Sequence, residues 1–249
     1  MKNTFGSDLS LTIFGESHGR AIGAVLDGMA AGVPVDEAFV AACMDKRRAR
    51  GDGLSTPRTE ADAVQFLSGV VNGRTTGTAI ALMVENQNTR SADYAKTADL
   101  LRPGHADYTA YAKYHGFQDA RGGGHFSGRV TAALVAGGAV VLGALSRAGI
   151  DISTHIAACA GISDTRFALD DAAALAAQVE ALADKPEGFA VLDPAVEEPM
   201  KAAIRAAGAD GDSVGGLLET AILGLPAGIG EPYFDSVESK IAHLAFSIP

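Results

Sequence analysis

Hydrophobic and polar residues alternate in the first part of the chain in a way that predicts antiparallel strands. Leucine and isoleucine alternate with serine and threonine over residues 9–13, a period of two that is typical of a half-buried strand. A second apolar run over residues 21–26 predicts the return strand. Residues 64–71 and 78–85 are two further strand-like runs, and Asn72-Gly73 between them is a strong hairpin signal.

Other segments show the spacing of helices. Residues 34–37 indicate a helix start, with proline early and acids in the first turn, and Val35, Phe39 and Ala42 recur at helical spacing. Residues 131–146 carry no charge, are rich in alanine and glycine and are too short for a membrane span, so they predict a buried core helix. Further strands are predicted over 151–162 and 214–223, and further helices over 170–184, 196–207 and 236–246.

Hairpin-linked strands mixed with long helices predict an α+β fold rather than a doubly wound sheet. The nucleotide-binding pattern G-x-x-x-x-G-K-[ST] does not occur in the sequence, and no glycine-rich turn lies in a βαβ context. With 249 residues, the chain can bury a substantial core as one large domain or two small ones.

Charge is distributed unevenly and narrows the range of partners. The net charge of −10 disfavours a nucleic-acid partner. Residues 1–129 carry 14 Lys+Arg and 14 Asp+Glu, whereas residues 130–249 carry 6 and 16. This pattern favours a small anionic substrate in a local positive pocket. Cys43 and Cys159 form no metal framework and indicate a reducing compartment, and the N-terminal residues lack the apolar core of a signal peptide.

Residues 102–129 concentrate the groups that carry chemistry. The segment RPGHADYTAYAKYHGFQDARGGGHFSGR contains three histidines, three arginines and three consecutive glycines. Arginine binds phosphate and carboxylate through a planar fork, and histidine exchanges protons near neutral pH. A glycine run before a helix leaves backbone N–H groups open to an anion. A loop with surface charges would explain any one of these residues, but it does not explain the cluster.

Two earlier segments are candidates for the same site. The turn FGESHGR over residues 14–20 places a hydroxyl and an imidazole, Ser17 and His18, between glycines at the end of a strand. The predicted first helix ends in Lys46-Arg47-Arg48, with Arg50 just beyond. These cations complement the helix dipole, and their mutual repulsion would equally be relieved by a bound anion. The residues alone leave both readings open.

Taken together, these motifs resemble those of the chorismate synthase family. The matches are FGESHG, RPGHAD and RGGG-x-x-S-x-R, supported by TTGT at 75–78 and by DGDSVGG and LPAGIGEP within 210–232. The resemblance runs in order from residue 6 to 249. It implies an α+β fold with a layered β-α-β sandwich core, in which helices lie between antiparallel sheets. It also implies one domain over residues 1–249, shortened at its C-terminal end relative to the family, in a homotetramer.

The resemblance implies a lyase of the shikimate pathway that is cytoplasmic. Its substrate is 5-enolpyruvylshikimate 3-phosphate, and a 1,4-anti elimination gives chorismate and phosphate. The reaction has no net redox change but requires reduced FMN, with NADPH as a reductant. Two alternatives remain: a fragment or relative that folds and oligomerises without turnover, and a flavin-independent enzyme of another phosphorylated acid or sugar.

The resemblance also implies roles for individual residues. His18 lies beside the leaving phosphate, and His105 protonates the reduced flavin. No metal is implied. Substrate contacts fall on Ser17, Arg47, Arg48, Arg102 and Arg129. Cofactor contacts fall on His125, Phe126, Ser127 and Arg47, the last through a region associated with NADPH.

The sequence departs from the family pattern at several positions. Many members read RSSARET where this chain reads HFSGRVT over residues 125–131. An arginine that is usual after the first basic cluster falls near Gly53, and Arg50 is the candidate to replace it. The family's C-terminal portion carries the aspartate proposed to help remove the ring proton. Within this chain, Asp107 is the nearest candidate for that role.

Overall fold

The computed structural model describes residues 2–49, 51–55, 60–87, 100–183 and 189–248. The ten strands in these ranges are β1 (Thr4–Gly6), β2 (Ser10–Gly15), β3 (Ala21–Asp27), β4 (Val64–Phe66), β5 (Val70–Val71), β6 (Arg74–Thr75), β7 (Ile80–Glu85), β8 (Asp151–Cys159), β9 (Ile162–Ser163) and β10 (Gly216–Leu223). The six α-helices in the same ranges are α1 (Glu37–Arg47), α2 (Asp107–Tyr114), α3 (Thr131–Arg147), α4 (Ala172–Ala183), α5 (Glu197–Ala209) and α6 (Val237–Ala245). The predicted α+β class is confirmed.

The described residues fall into two compact units. One comprises Met1–Arg48, Glu60–Ala144 and Pro226–Pro249, and the other comprises Ala49–Thr59 and Leu145–Leu225. The prediction of a single domain over the whole chain stays a prediction.

The first unit is built on an antiparallel sheet of five strands in the order β1-β2-β3-β7-β4. The strand alternation predicted over 9–13 is confirmed by β2, and β3 returns beside it, with Ser10 opposite Asp27. Ile80, Leu82 and Val84 alternate as buried residues along β7, so one face of the sheet turns to the core. The prediction of one strand over 64–71 is wrong, because residues 67–69 separate β4 from β5. The Asn72-Gly73 turn joins β5 to β6, with φ of 50° and 69° at the two residues.

The helix after residue 36 begins as predicted, but its buried face differs. Asp36 caps α1 by accepting hydrogen bonds from the N–H groups of Ala38 and Phe39 at 3.0 and 3.1 Å. The buried residues of α1 are Val40 and Met44, whereas Phe39 is exposed. Val35, the first of the three predicted positions, is buried just before α1, and packing on the sheet buries Val40 and Met44 in place of Phe39 and Ala42.

The charge-free segment forms the predicted core helix, α3. Ala132, Ala136, Ala139 and Val140 of α3 are buried together with Ile22, Leu26 and the apolar residues of β7. Within the described residues, 128–147 is the one helix whose length and composition would allow it to cross a membrane. The small residues of α3 bring its backbone close to the sheet, which explains why alanine and glycine fill it.

The second unit holds a three-stranded antiparallel sheet in the order β10-β8-β9. The strand predicted over 151–162 is shorter, since it ends at Cys159 and returns as β9. Helices α4 and α5 and strand β10 confirm the predictions for 170–184, 196–207 and 214–223, with ends shifted by a few residues.

A fully buried histidine organises the second unit. His155 on β8 lies between two carboxylates, with Nδ1 2.8 Å from Asp164 and Nε2 3.0 Å from Glu219. Asp164 also accepts the N–H groups of Leu192 and Asp193 at 2.7 and 2.8 Å. Burial raises the pKa of Asp164, but these N–H groups and His155 outweigh it, so that the pKa lies below its ordinary value of 3.8.

Replacing Asp164 with asparagine should destabilise the protein by about 3–5 kcal/mol, the usual cost of removing one partner of a buried ion pair. Because the folded-state pKa is lowered, Asp164 contributes stability above pH ~4 that is lost as the pH falls through the lower folded value. Urea unfolding between pH 3 and 7 would measure both effects. The variant should lose less stability on acidification than the wild type. An equal dependence of the unfolding free energy on pH in both proteins would contradict the lowered pKa of Asp164.

Candidate functional site

The turn between β2 and β3 carries Ser17 and His18. Ser17 is buried, and its N–H donates to the carbonyl of Gly124 at 3.0 Å. Its Oγ lies 3.0 Å from Nδ1 of His18 and accepts the N–H of Gly123 at 3.3 Å. These bonds join the turn to a segment more than a hundred residues later in the chain, so the FGESHG and RGGG motifs form one structure.

The glycines at 122 and 123 are needed because both histidines approach them. A methyl group on Gly122 would lie 2.3 Å from Cε1 and Nδ1 of His18 and 2.8 Å from Oγ of Ser17. A methyl group on Gly123 would lie 2.9 Å from Nε2 of His105. The two predicted catalytic histidines therefore lie against adjacent glycines in one site.

The glycines allow the two histidine rings to lie close to the backbone, and two of their N–H groups are bonded within the protein and not open to an anion. The N–H of Gly123 is used by Ser17, and the N–H of Gly124 donates to the carbonyl of Arg121 at 3.0 Å. A helical turn at Gly128–Val130 and then α3 follow the glycines, as the sequence predicted.

His105 is held by an ion pair at the start of α2. Arg102 donates to both carboxylate oxygens of Asp107, from Nε at 2.8 Å and from Nη2 at 2.9 Å. Nδ1 of His105 lies 2.7 Å from Oδ1 of the same carboxylate. The bonds from Arg102 hold the pKa of Asp107 well below its usual range, so the carboxylate stays ionised and accepts a proton donated by Nδ1. Nε2, on the side of Gly123, is then the nitrogen that can exchange a proton.

A second carboxylate, Asp119, acts on His18. Asp119 accepts the side chain of Arg121 from Nε at 2.8 Å and from Nη2 at 2.7 Å, and these bonds lower its pKa. A positive charge on His18 also contributes to this lowering. The interaction is reciprocal, so ionised Asp119 stabilises the protonated form of His18.

A cavity of about 310 Å³ is lined in part by Arg102 and Asp107, the two residues that hold His105. One of its polar groups is Oε1 of Gln118, which is buried and has no hydrogen-bond partner within the described ranges. Phe126 lines the cavity and stacks on Tyr114 with ring centroids 6.1 Å apart. The remaining lining residues are Leu100, Leu101, Ala110, Asp119, Ala120 and Gly123.

Two of the predicted anion-binding arginines are joined to buried acids. Arg129 pairs with Glu60 at 2.5 Å and with Asp62, and its side chain is 8% exposed. Asp62 also accepts Nη1 of Arg47 at 2.8 Å. The two arginines are thus brought together by one carboxylate, and an incoming anion would share them with Asp62 and Glu60.

The other predicted residues occupy different positions. Arg48 lies just beyond α1 and pairs with Asp45 at 3.0 Å. Nδ1 of His125 donates to the carbonyl of Gly15 at 2.7 Å, and Oγ of Ser127 accepts the N–H of Arg129 at 3.2 Å. Arg50 lies outside the described residues. The assignment of all these residues to substrate or cofactor stays a prediction.

Replacing Arg129 with alanine should lower the stability of folding, because Glu60 and Asp62 would lose a buried partner. We expect a loss of about 3–5 kcal/mol, as for other broken buried pairs. Arg48→Ala is the matched control, since that arginine is half-exposed and pairs with an exposed acid. Its effect should fall on anion affinity and leave the thermal midpoint close to that of the wild type. Equal thermal midpoints for both variants would contradict this division.

The sequence did not single out Asn86, Glu60, Asp62 and Asp119 as site residues. Each acts through a partner elsewhere in the chain or through a local turn, and no motif marked it. Within the described ranges, no group of three His, Cys, Asp or Glu side chains could hold a metal ion.

Comparison with known proteins agrees with this geometry. The sequence model of the chorismate synthase family matches residues 9–249. A chorismate synthase of Sulfurovum sp. (strain NBC37-1) is 44% identical over 246 residues, covering 99% of this chain and 65% of the relative. One of Aliarcobacter butzleri is 41% identical over 246 residues, with the same coverage of both chains.

A solved structure agrees as well. The crystal structure of a chorismate synthase superposes with a TM-score of 0.74 and 29% identity, covering 96% of this chain and 65% of that one. The chain thus spans about 65% of the length of these curated relatives. On the strength of the family match and of these relatives, the chain belongs to the chorismate synthase family.

Proposed function

We propose that the protein is a lyase that eliminates phosphate from 5-enolpyruvylshikimate 3-phosphate to give chorismate, with reduced FMN. The observation that carries the proposal is the meeting of His18 and His105 at Gly122 and Gly123. Two proton-exchanging groups of separate motifs converge there beside arginines, in a chain that belongs to this family. The reaction breaks the allylic C–O bond to phosphate and a ring C–H bond, and a new double bond forms with no net redox change.

His18 is proposed to serve the leaving phosphate. As a general acid, His18 would donate a proton to the departing oxygen. Oγ of Ser17 lies against Nδ1 of His18 and shares this pocket. Because Gly122 has no side chain, the imidazole ring can keep its place against the glycine segment.

His105 is proposed to deliver a proton to the reduced cofactor. Asp107 accepts from Nδ1, which leaves Nε2 as the exchanging nitrogen on the side of Gly123. The bonds from Arg102 and His105 strongly lower the pKa of Asp107, and a carboxylate with so low a pKa is a weak base. Asp107 is therefore disfavoured as the base that removes the ring proton.

The cavity lined by Arg102, Asp107 and Phe126 is proposed to take part of a flavin. It combines apolar walls and an aromatic ring with the unpartnered Oε1 of Gln118, which can accept an N–H of a bound heterocycle. Phe126, Ser127 and His125 are proposed to hold the cofactor, with Arg47 in the region associated with NADPH. When bound, reduced FMN would lend electron density to the substrate as phosphate leaves and regain it when the ring proton is lost.

The substrate's phosphate and carboxylates are proposed to bind to Arg48, Arg102, Arg129 and Arg47. Arginine forks suit these anions, and a lysine would reproduce them only in part. Their pairing with Asp45, Asp107, Asp62 and Glu60 keeps the cations in place before substrate arrives. From the family resemblance, we extend the proposal to a cytoplasmic homotetramer that uses NADPH as a source of reducing equivalents.

An assay with three arms tests the function. The purified protein is given 5-enolpyruvylshikimate 3-phosphate with dithionite-reduced FMN, with oxidised FMN or with no flavin. We expect chorismate and phosphate only in the first arm. Phosphate release without flavin would favour an enzyme of another mechanism, and no product in any arm would favour a protein that folds without turnover.

A further inference from the structure

We propose that Asn86 is a positioning residue that fixes His18 by holding both ends of the turn that carries it. This proposal rests on the proposed function of His18, although its structural part can be tested without turnover. Asn86 follows β7 directly, and it lies outside the sequence motifs that marked the site.

The amide of Asn86 uses its hydrogen-bonding groups on both sides. Nδ2 donates to the carbonyl of Glu16 and to the carbonyl of Gly19, each at 2.9 Å. Oδ1 accepts Nε of Arg129 at 3.1 Å. The backbone N–H of Asn86 also donates to the carbonyl of Arg20 at 3.2 Å. The side chain of Asn86 thus bridges the two ends of the four-residue turn from Glu16 to Gly19, which contains Ser17 and His18.

The orientation of the amide is set by buried charges. Glu60 and Asp62 occupy the terminal nitrogens of Arg129, which leaves Nε to meet Oδ1 of Asn86. With Oδ1 bound to a cation, the NH₂ group must point toward the turn, where two carbonyls accept it. An aspartate has nearly the same shape, but it would place a second acceptor against those carbonyls.

The opposite side of the turn is held by the glycine segment. Ser17 donates its N–H to Gly124 and accepts the N–H of Gly123, as described above. Asn86 and the glycine segment therefore both bind the turn, and the His18 ring lies against Gly122. Because both donors of the Asn86 amide go to backbone carbonyls, its action on the ring passes through the backbone of the turn.

The test compares Asn86→Asp with Asn72→Asp, which makes the same charge change in the exposed hairpin turn of the same unit. For Asn86→Asp we expect turnover to fall by about 10- to 100-fold, because a misplacement of about 1 Å can cost 100-fold. The KM for 5-enolpyruvylshikimate 3-phosphate should rise as well, because the new carboxylate adds a negative charge beside Arg129. Asn86→Ala, which adds no charge there, should keep the KM within about threefold. Asn72→Asp should match the wild type in both.

Imidazole NMR provides a readout that does not depend on turnover. The His18 signal, assigned by its loss in His18→Ala, should shift in Asn86→Asp, while the signals of His115 and His243 should not. An inactive wild type with this shift would reject the proposed function and uphold the positioning role.

An unchanged His18 signal together with wild-type turnover in Asn86→Asp would overturn the proposal. If Asn86→Asp does not fold, Asn86→Ala removes the two donors without adding charge and is measured in the same way. Failure of both variants to fold would also overturn it, because Asn86 would then determine the fold and not the place of one ring.

Discussion

Replacing His18 with alanine is expected to lower the turnover of 5-enolpyruvylshikimate 3-phosphate by about 100-fold or more, within the usual range for a general acid. The departing phosphate would lose its proton donor, while Ser17 would keep its bonds to Gly123 and Gly124. Folding should be almost unaffected, because His18 is only partly buried and lies in a turn. Phosphate release under reduced FMN measures the effect.

The control for this experiment is a histidine of the same unit that lies outside the site. His115 is exposed and takes a left-handed conformation with φ of 56°, so His115→Asn keeps a residue that tolerates this backbone. It should retain wild-type turnover. Near-wild-type turnover in His18→Ala would remove His18 from the mechanism, whatever the control shows.

Replacing Gly122 with alanine is expected to lower turnover by about 100-fold, because the added methyl group would displace the His18 ring. The methyl carbon would lie 2.3 Å from Cε1 and Nδ1 of the ring, so that the ring or the backbone would have to move. Gly122 also has φ of +67°, so the substitution strains the backbone, at a cost of about 1–2 kcal/mol. Activity and thermal midpoint must therefore be measured together.

Two other glycines separate displacement from strain. Gly128→Ala adds a methyl to open space in an ordinary conformation, and it should change neither activity nor stability by much. Gly211→Ala adds a methyl to open space at φ of +73°, so it reproduces the strain alone. We expect the Gly211 variant to lose stability and keep turnover. If Gly122→Ala also loses stability but keeps turnover, the close contact between His18 and Gly122 is not needed for activity.

The sequence predicted those parts of the fold in which a local pattern coincides with burial. The alternation before residue 14 and the charge-free run of α3 gave the right elements, because one face of each packs on the core. The buried face of α1 and the break after β4 were wrong, because packing on the sheet decided them. The sequence does not predict α2 either, since its short run of tyrosines and polar residues has only one buried side chain, Ala110.

The sequence predicted the motif residues of the candidate site but not the residues that hold them in place. The motifs named His18 and His105, but only the fold shows that both lie against adjacent glycines. No local pattern marks Asp62 and Asn86, because their partner Arg129 is 67 and 43 residues away along the chain. The sequence therefore predicted a contact of Arg129 with the substrate but not its contacts with these two residues.

The stoichiometry of a single anaerobic incubation shows whether the proposed elimination depends on flavin and proceeds without net redox change. The protein is mixed with excess 5-enolpyruvylshikimate 3-phosphate and a limiting amount of photoreduced FMN, and chorismate, phosphate and oxidised flavin are quantified. We expect equal amounts of chorismate and phosphate, many of each per flavin, and a flavin that is still reduced at the end. One oxidised flavin for each product, or product formed before the flavin is reduced, would contradict the proposed elimination.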